Sequence, residues 1–327
     1  MNIRSEREIK LMKEAGHINF LAHKEMEKYI RPGITTKELD KKINDFIVSH
    51  GGIASCYGYE GFPGHACICI NDEVVHGIPG NRRLKDGDIV KLDFTVRKAG
   101  YESDMTRTYL VGNVDEKVKQ MVIDTEQALY EGIKCVKPGN RIGDISNAIE
   151  TYAHAHGLSV VEELVGHGIG TDMHEEPDVP NYGEAHKGPV LKEGMVLAIE
   201  PMLNLGRKEV VMLDNDWTIV TEDESFSCHF EHTVCVTKDG YEILTGEYGG
   251  VQYFSDAKGN NLDRNSVYVE PEDGLDIYLT VNYELQSSIE RELDNIVTKY
   301  NPEGAWALAM DPNTGEILGM SSRPNFN

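Results

Sequence analysis

The sequence predicts an α+β fold built from two related halves, followed by a shorter stretch of different character. Three observations carry this. Leu84-Lys85-Asp86-Gly87-Asp88-Ile89-Val90-Lys91-Leu92-Asp93 lines up with Leu191-Lys192-Glu193-Gly194-Met195-Val196-Leu197-Ala198-Ile199-Glu200, each a charged turn, an apolar run and a closing acid. Pro32-Gly33 recurs as Pro138-Gly139, and the helical spacing of Leu39, Ile43, Phe46, His50 and Gly51 recurs as Ile145, Ile149, Tyr152, His156 and Gly157. Helix-like and strand-like segments come as two similar sets, at a period far longer than a solenoid unit. The halves are expected to face each other, with one acid from each meeting between them.

The elements follow in order. Ser5-Glu6-Arg7-Glu8 is a capping-box start. Ile9, Met12, Ile18, Leu21 and Met26 then mark a long helix that stops before Pro32-Gly33. A second helix runs from Thr35 to His50 and ends at Gly51-Gly52. Residues 53 to 111 read as strands and turns, broken at Gly61-Phe62-Pro63-Gly64 and Ile78-Pro79-Gly80. Helical spacing returns from Glu116 to Val136 and from Ile142 to His156, and strands dominate from Val160 to Leu244. After Leu244-Thr245-Gly246 the pattern changes. Tyr248 to Asn265 is polar and loop-like. Leu275 to Val281 alternates as a strand. Leu285, Ile289, Leu293, Ile296 and Val297 give an amphipathic helix from Glu284 to Tyr300. Ala305 to Met310 and Glu316 to Met320 flank the turn residues Asp311-Pro312-Asn313-Thr314-Gly315, a hairpin signal. None of this tail repeats what precedes it.

Composition narrows the function. The 327 residues carry a formal net charge of −23, which argues against non-specific nucleic-acid or anionic-lipid binding. No apolar run is long enough to span a membrane, and the polar Met1-Asn2-Ile3-Arg4-Ser5-Glu6 lacks the core of a signal peptide. Cys56, Cys67, Cys69, Cys135, Cys228 and Cys235 form no CxxC pair and no disulfide spacing, so they are expected as buried free thiols in a reducing cytoplasm.

Asp93, Asp104, His167, Glu200 and Glu231 stand out as candidate metal ligands. Carboxylate oxygens and imidazole nitrogen suit hard or borderline divalent ions without any thiolate. Ten residues separate Asp93 from Asp104, and paired strands turning at Lys98-Ala99-Gly100 would bring the two side by side. His167 lies between two glycines, so backbone can approach closely. Glu231-x-Thr233 echoes Asp104-x-Thr106. Four acids brought together would repel one another, and divalent ions would resolve that repulsion.

These segments resemble type I methionine aminopeptidases, a family with the pita-bread (creatinase/aminopeptidase-like) fold and its pseudo-two-fold duplication. The resemblance rests on Glu73-Val74-Val75-His76-Gly77-Ile78-Pro79, Lys91-Leu92-Asp93-Phe94-Thr95-Val96, Gly166-His167-Gly168-Ile169-Gly170, His174-Glu175-Glu176-Pro177, Ile199-Glu200-Pro201-Met202 and Glu231-His232-Thr233. It covers residues 1–247. It implies two divalent ions (Co, Mn, Fe or Zn), with Asp104 and Glu231 bridging, Asp93 serving one ion, and His167 and Glu200 the other. It implies a water or hydroxide bridging the ions as nucleophile, Glu200 as general base, His174 near the carbonyl oxygen and His76 near the scissile amide. Cys56, Tyr59, Phe62, Cys67, Met173, Met202 and Trp217 are the implied wall of a methionine pocket. Phe62 and Met173 stand where many relatives carry tyrosine and phenylalanine. The implied reaction removes initiator methionine before a small second residue. The implied partners are nascent polypeptide N-termini, including those at the ribosome, met by a cytoplasmic monomer with no membrane and no direct nucleic-acid partner. No long insertion separates His174 from Glu200 and no zinc-finger extension precedes the first helix, which favours type I. The rival readings are an X-Pro aminopeptidase of the same fold and a binding module that has lost its metals.

Residues 248–327 resemble the opening of a class B penicillin-binding protein transpeptidase domain. Val269-Glu270-Pro271-Glu272-Asp273-Gly274-Leu275-Asp276-Ile277-Tyr278-Leu279-Thr280-Val281, Leu285-Gln286 and Ala309-Met310-Asp311-Pro312-Asn313-Thr314-Gly315-Glu316-Ile317-Leu318-Gly319-Met320 carry this likeness. That family's nucleophilic serine lies beyond these segments. The tail is therefore expected to be a truncated, fused α+β fragment without catalysis of its own.

Overall fold

The structure is a computed structural model, and it describes residues 2–246, 251–252, 267–268, 283–300, 302, 304–310 and 317–323. Contacts divide the chain into two compact units, Met1–Val269 and Glu270–Asn327. No helix among the described residues is long and apolar enough to cross a membrane.

In the first unit each half opens with a helix pair. The first half contributes α1 (Glu6–Met26) and α2 (Thr36–Ser49), and the second α3 (Glu116–Ile133) and α4 (Ile142–Ala155). Ser5 caps α1 as the sequence signature requires, with Glu8 reaching back to the Ser5 backbone N–H at 2.8 Å. Thr35 and Glu38 do the same for α2. The strands of the first half are β1 (Ile53–Ala54), β2 (Cys67–Ile70), β3 (Glu73–Val75), β4 (Ile89–Lys98) and β5 (Tyr101–Leu110). The second half adds β6 (Ser159–Val160), β7 (Gly166–Gly168), β8 (Glu175–Val179), β9 (Val196–Ile199), β10 (Met202–Asn204), β11 (Val210–Met212), β12 (Ile219–Thr221), β13 (Ser227–His229), β14 (Glu231–Val236) and β15 (Tyr241–Ile243). A short antiparallel pair, β16 (Val251–Gln252) with β17 (Val267–Tyr268), follows.

One antiparallel sheet runs β1-β4-β5-β14-β9-β7-β8, with β2 also on β4 and β15 also on β14. The halves therefore join edge to edge through β5 and β14, where Glu231 pairs with Thr106. Side chains alternate across a strand. Leu92 and Phe94 accordingly turn toward the helices, where the His23 ring stacks on Phe94 at 4.2 Å. Asp93, Asp104 and Glu231 turn to the opposite face.

The duplication holds down to single backbone angles. Gly33 and Gly139 have φ of 93° and 91°, Gly51 and Gly157 of 74° and 71°, and Gly87 and Gly194 of 92° and 82°. These are left-handed turns that favour glycine. The Leu84 carbonyl accepts from Gly33 N–H at 2.8 Å, and the Leu191 carbonyl from Gly139 N–H at 3.1 Å. Phe46 stacks on His50 and Tyr152 on His156, both at 4.0 Å. Each half also has its own apolar core, one around Leu39, Ile43 and Leu92 and the other around Ile145, Ile149 and Leu197.

In the second unit, α5 spans Tyr283–Tyr300 and β18 (Ala305–Met310) pairs antiparallel with β19 (Ile317–Arg323). The helix and both arms of the expected hairpin are thus present. The expected strand 275–281 and the turn 311–315 lie outside the described residues, as does most of the loop 248–265.

Candidate metal centre and adjoining cavity

The acids sit on the sheet face away from the helices, around the junction of the two halves. Asp93 is on β4 and Asp104 on β5, joined by a turn in which Ala99 and Gly100 have φ of 50° and 89°. The register pairs Asp93 with Thr106 and Thr95 with Asp104. The two acids are diagonal neighbours on one face, displaced by two residues from the directly opposed placement. Glu231 opens β14, and Glu200 follows the end of β9. His167 lies on β7 opposite Ala198.

One oxygen each from Asp104 and Glu231 and one nitrogen of His167 lie within 4.8 Å of one another, and all three residues are buried. His167 Nε2 is 3.5 Å from Glu200 Oε1. Asp93 lines a cavity of about 320 Å³ together with Asp104. The threonines of the echoed motif support the acids reciprocally. Thr106 O–H donates to Glu231 Oε2 at 2.9 Å, and Thr233 O–H donates to the Asp104 carbonyl at 2.8 Å. Thr95 O–H donates to Asp104 Oδ2 at 2.7 Å.

The flanking glycines are required by packing. A Cβ at position 166 would stand 2.4 Å from the Ala198 carbonyl oxygen, and one at 168 would stand 2.5 Å from that of Glu176. His167 is held where both neighbouring strands press against its backbone.

Electrostatics show a cluster short of positive charge. Burial pushes the Asp93, Glu200 and Glu231 carboxyls well above the usual range, and repulsion among the acids adds to it. Burial also raises Asp104, partly opposed by the Thr95 bond. Burial pulls His167 down to about 3, helped by the nearby His174. The Gly168 carbonyl, 2.9 Å away, can only accept, so His167 Nδ1 carries the proton. Its Nε2 lone pair therefore faces Glu200 Oε1, 3.5 Å away. Glu231 Oε1 is buried and has no hydrogen-bond partner among the described residues. A divalent cation fits this donor set, since it answers each of these deficits at once.

The cavity beside the acids is lined by Cys56, Tyr59, Phe62, Cys67, Met173 and Trp217, as well as His76, His174, Glu60 and Thr95. Phe62 meets Trp217 edge-on at 5.1 Å. Met202 differs from expectation. It packs with Val74, Val75 and Val161 in a separate apolar cluster, because its strand β10 pairs with β13 and β6 rather than joining the main sheet. His174 Nδ1 is 2.7 Å from the Tyr59 hydroxyl, and its ring lies 4.3 Å from that of His167. His76 has φ of 58°, stands edge-on to Trp217 at 6.3 Å, and is lowered to about 4 by burial and by His174.

Three contributors escaped the sequence reading. Thr95 was legible in principle, since it is two residues from Asp93 on the same strand face. Tyr59 was expected only as pocket wall, yet it also holds His174. His229 was given no role, but its buried Nε2 stands 3.4 Å from Glu200 Oε2. It comes from β13, and no local pattern announces that contact.

Residues 10–238 match the model of metallopeptidase family M24. The chain is 50% identical over 242 residues to methionine aminopeptidase 1 of Bacillus subtilis, covering 74% of this chain and 98% of that one. It is 47% identical over 243 residues to the methionine aminopeptidase of Clostridium perfringens, at 74% and 98% coverage. Among solved structures, the methionine aminopeptidase from Rickettsia prowazekii superposes with a TM-score of 0.75 at 41% identity, covering 75% of this chain and all of that one. The prolidase from Pyrococcus furiosus, at 24% identity and a TM-score of 0.59, shares the fold, covering 75% of this chain and 65% of its own. With its pita-bread architecture and a family match spanning both halves of the first unit, the chain belongs to metallopeptidase family M24.

Proposed function

We propose that the first unit is a type I methionine aminopeptidase, using two divalent ions to hydrolyse the bond after an initiator methionine when the second residue is small. The observation that carries this is the grouping of Asp104, His167 and Glu231 beside a cavity walled by cysteine, methionine and aromatic side chains. Thiol, thioether and aromatic groups suit a methionine side chain. The 50% identity to the Bacillus subtilis methionine aminopeptidase, over nearly its whole length, supports the same reading.

Asp93, Asp104, His167, Glu200 and Glu231 would hold the ions, and Co, Mn, Fe and Zn all suit such ligands. A divalent ion held there supplies Lewis acidity, polarising the scissile carbonyl and acidifying water. Glu200 takes the proton of the attacking water. When the Tyr59 hydroxyl donates to His174 Nδ1, the His174 proton sits on Nε2, ready for the carbonyl oxygen as it gains charge. His76, neutral at physiological pH, orients the scissile amide by a hydrogen bond. Cys56, Tyr59, Phe62, Cys67, Met173 and Trp217 enclose the methionine side chain. The substrates are nascent polypeptide N-termini in the cytoplasm, including those at the ribosome, and a monomer suffices.

The test is hydrolysis of Met-Gly-X, Leu-Gly-X and X-Pro peptides by protein stripped of metal and reloaded with Mn²⁺ or Co²⁺. Metal-dependent preference for Met-Gly-X is expected. Equal rates on Met and Leu would sink the selectivity, X-Pro turnover alone would favour the rival, and full activity in Glu200→Gln would remove the general base.

Residues 248–327 are, in this reading, a transpeptidase-like fragment without catalysis. Ser255-Asp256-Ala257-Lys258 has the spacing of that family's SxxK motif, but it precedes the matched segments and lies outside the described residues. Fluorescent penicillin should leave the protein unlabelled, and labelling at Ser255 would overturn the assignment.

A further inference from the structure

We infer that Arg4 is a positioning residue: the segment before α1 straps the loop that carries Met173 and His174, and so sets both the pocket wall and the carbonyl-facing imidazole. This rests on the roles proposed above for those two residues.

The loop joins β7 to β8 without regular structure. Its backbone has few partners of its own kind, since Gly170 N–H donates to the Asp172 carbonyl at 3.2 Å and Glu102 N–H donates to the Gly170 carbonyl at 2.7 Å. The remaining order centres on the Glu175 carboxylate. Its Oε1 accepts from Thr171 N–H at 2.9 Å and from Asp172 N–H at 3.3 Å. Asn2 Nδ2 donates to Oε2 at 2.7 Å, and Arg4 Nη2 donates to both oxygens. The side chains of Arg4 and Glu175 are each 8% exposed. Burial works against the charge of Glu175, yet the bonds from Asn2, the Asp172 amide and Arg4 hold its carboxyl below the usual range.

Arg4 is itself fixed in place. Its N–H donates to the Gly194 carbonyl at 2.8 Å. Its guanidinium lies against Gly170, where an added Cβ would be 1.8 Å from Nη2. A buried carboxylate that loses its counter-charge must move toward water or take up a proton. Movement releases the Thr171 and Asp172 amides and protonation weakens the bonds they make to Oε1, and both residues precede Met173 and His174. Glu175 also follows His174 directly, so its displacement pulls on the His174–Tyr59 contact.

The experiment compares the full chain with Arg4→Ala, Arg4→Lys and Gly170→Ala, the last of which keeps Arg4 but denies the guanidinium its seat. Hydrogen exchange of the Thr171 and Asp172 amides is read alongside kcat and KM on Met-Ala and Leu-Ala peptides and a metal titration. Arg4→Ala and Gly170→Ala should speed exchange of both amides by about tenfold or more, lower kcat/KM on Met peptides by about 10- to 100-fold through misplacement, and shrink the Met:Leu ratio. The metal-titration midpoint should stay within about twofold of wild type, and Arg4→Lys should recover part of each loss. Unchanged exchange in Arg4→Ala overturns the strap. So does a loss of activity that leaves the Met:Leu ratio intact. If the wild type turns over no Met peptide, the functional reading fails, while the exchange of Thr171 and Asp172 still decides the strap.

Discussion

Replacing Glu231 with Gln should make the metal-free protein more stable and the metal-loaded protein less so. Glu231 is 2% exposed, and its Oε1 finds no partner among the described residues. One of its carboxylate oxygens and one of Asp104 lie within 4.8 Å of each other. Two unit charges at that distance repel by about 3.5 kcal/mol at an effective dielectric of about 20. A carboxyl that takes up a proton instead escapes part of this repulsion. Gln keeps an oxygen for the Thr106 hydroxyl, so that bond survives. The metal-free variant should therefore gain about 1–3 kcal/mol at pH 8, or roughly 2–4 °C in Tm for each kcal/mol in a unit of this size. With Mn²⁺ at a hundredfold excess over Kd, the wild type gains about 2.7 kcal/mol, whereas the variant, short of one anionic ligand, gains less. The two orders of stability should cross. The pH dependence has a definite sign. The folded-state carboxyls of Asp93, Glu200 and Glu231 are raised, so their contribution is present at low pH and is lost as pH rises through the folded values. The advantage of the metal-free variant should be widest at alkaline pH and close toward the ordinary carboxyl range. Thermal unfolding in EDTA and in Mn²⁺, at pH 8 and pH 5.5, reads all of this. Equal Tm values in EDTA with equal Mn²⁺ shifts would refute the charge argument.

Other outcomes follow from single contacts. His174→Ala should lower kcat by about 10²–10⁴-fold, while Tyr59→Phe, which removes one hydrogen bond, should cost about 2- to 12-fold; steady-state kinetics at fixed metal loading separates them. Lys91→Met strips a 1% exposed ammonium from the Asn71 and Ser227 carbonyls, 2.7 and 2.9 Å away. Leaving those acceptors bare should cost about 1–3 kcal/mol in denaturant unfolding. His232 is buried against Tyr130 and Thr245 and lowered to about 3 by burial, with Arg107 adding to it. Its contribution to stability is present above about pH 6.5 and is lost as pH falls toward 3, so His232→Asn should flatten the acid limb of a Tm–pH curve.

Much of the fold was legible because its signals are local. Ser5 and Glu8 announce the first helix, Gly33 and Gly139 its repeated frame, and the alternation through Asp93 and Thr95 the site-facing strand. The acids stood out in the sequence because Asp93 and Glu200 each follow an apolar run, an expensive position unless something positive meets it; in the structure Glu200 follows the end of its strand, whereas Asp93 and Asp104 lie within theirs. What escaped depends on contacts that sequence spacing does not encode. Met202 follows Glu200 by two residues, yet its strand leaves the main sheet and carries it into a separate cluster. His229 reaches Glu200 only because β13 pairs with β10 across a separation of more than twenty residues. The diagonal offset of Asp93 and Asp104 is a register choice set by the two-residue turn at Ala99-Gly100.

The duplication accounts for the acids and leaves the imidazole unexplained, and that asymmetry is informative. In the aligned frames Asp93 answers to Glu200, and Lys91 answers to Ala198. His167 pairs across the sheet with Ala198, so the position equivalent to His167 is the residue that pairs with Lys91, which is Cys69. The same location in the two halves thus holds an imidazole over an alanine in one and a thiol over a lysine in the other. Lys91 is spent on the Asn71 and Ser227 carbonyls, and burial pushes the Cys69 thiol up to about 12. A thiol so raised stays protonated and is a poor ligand. The first half therefore offers its acids alone, while the second adds nitrogen. Two ions bound at this junction would occupy inequivalent sites, the one near His167 richer in donors. The repeated frame places acids in both halves, and the difference at this one pair of positions makes the two sides of the cluster unequal.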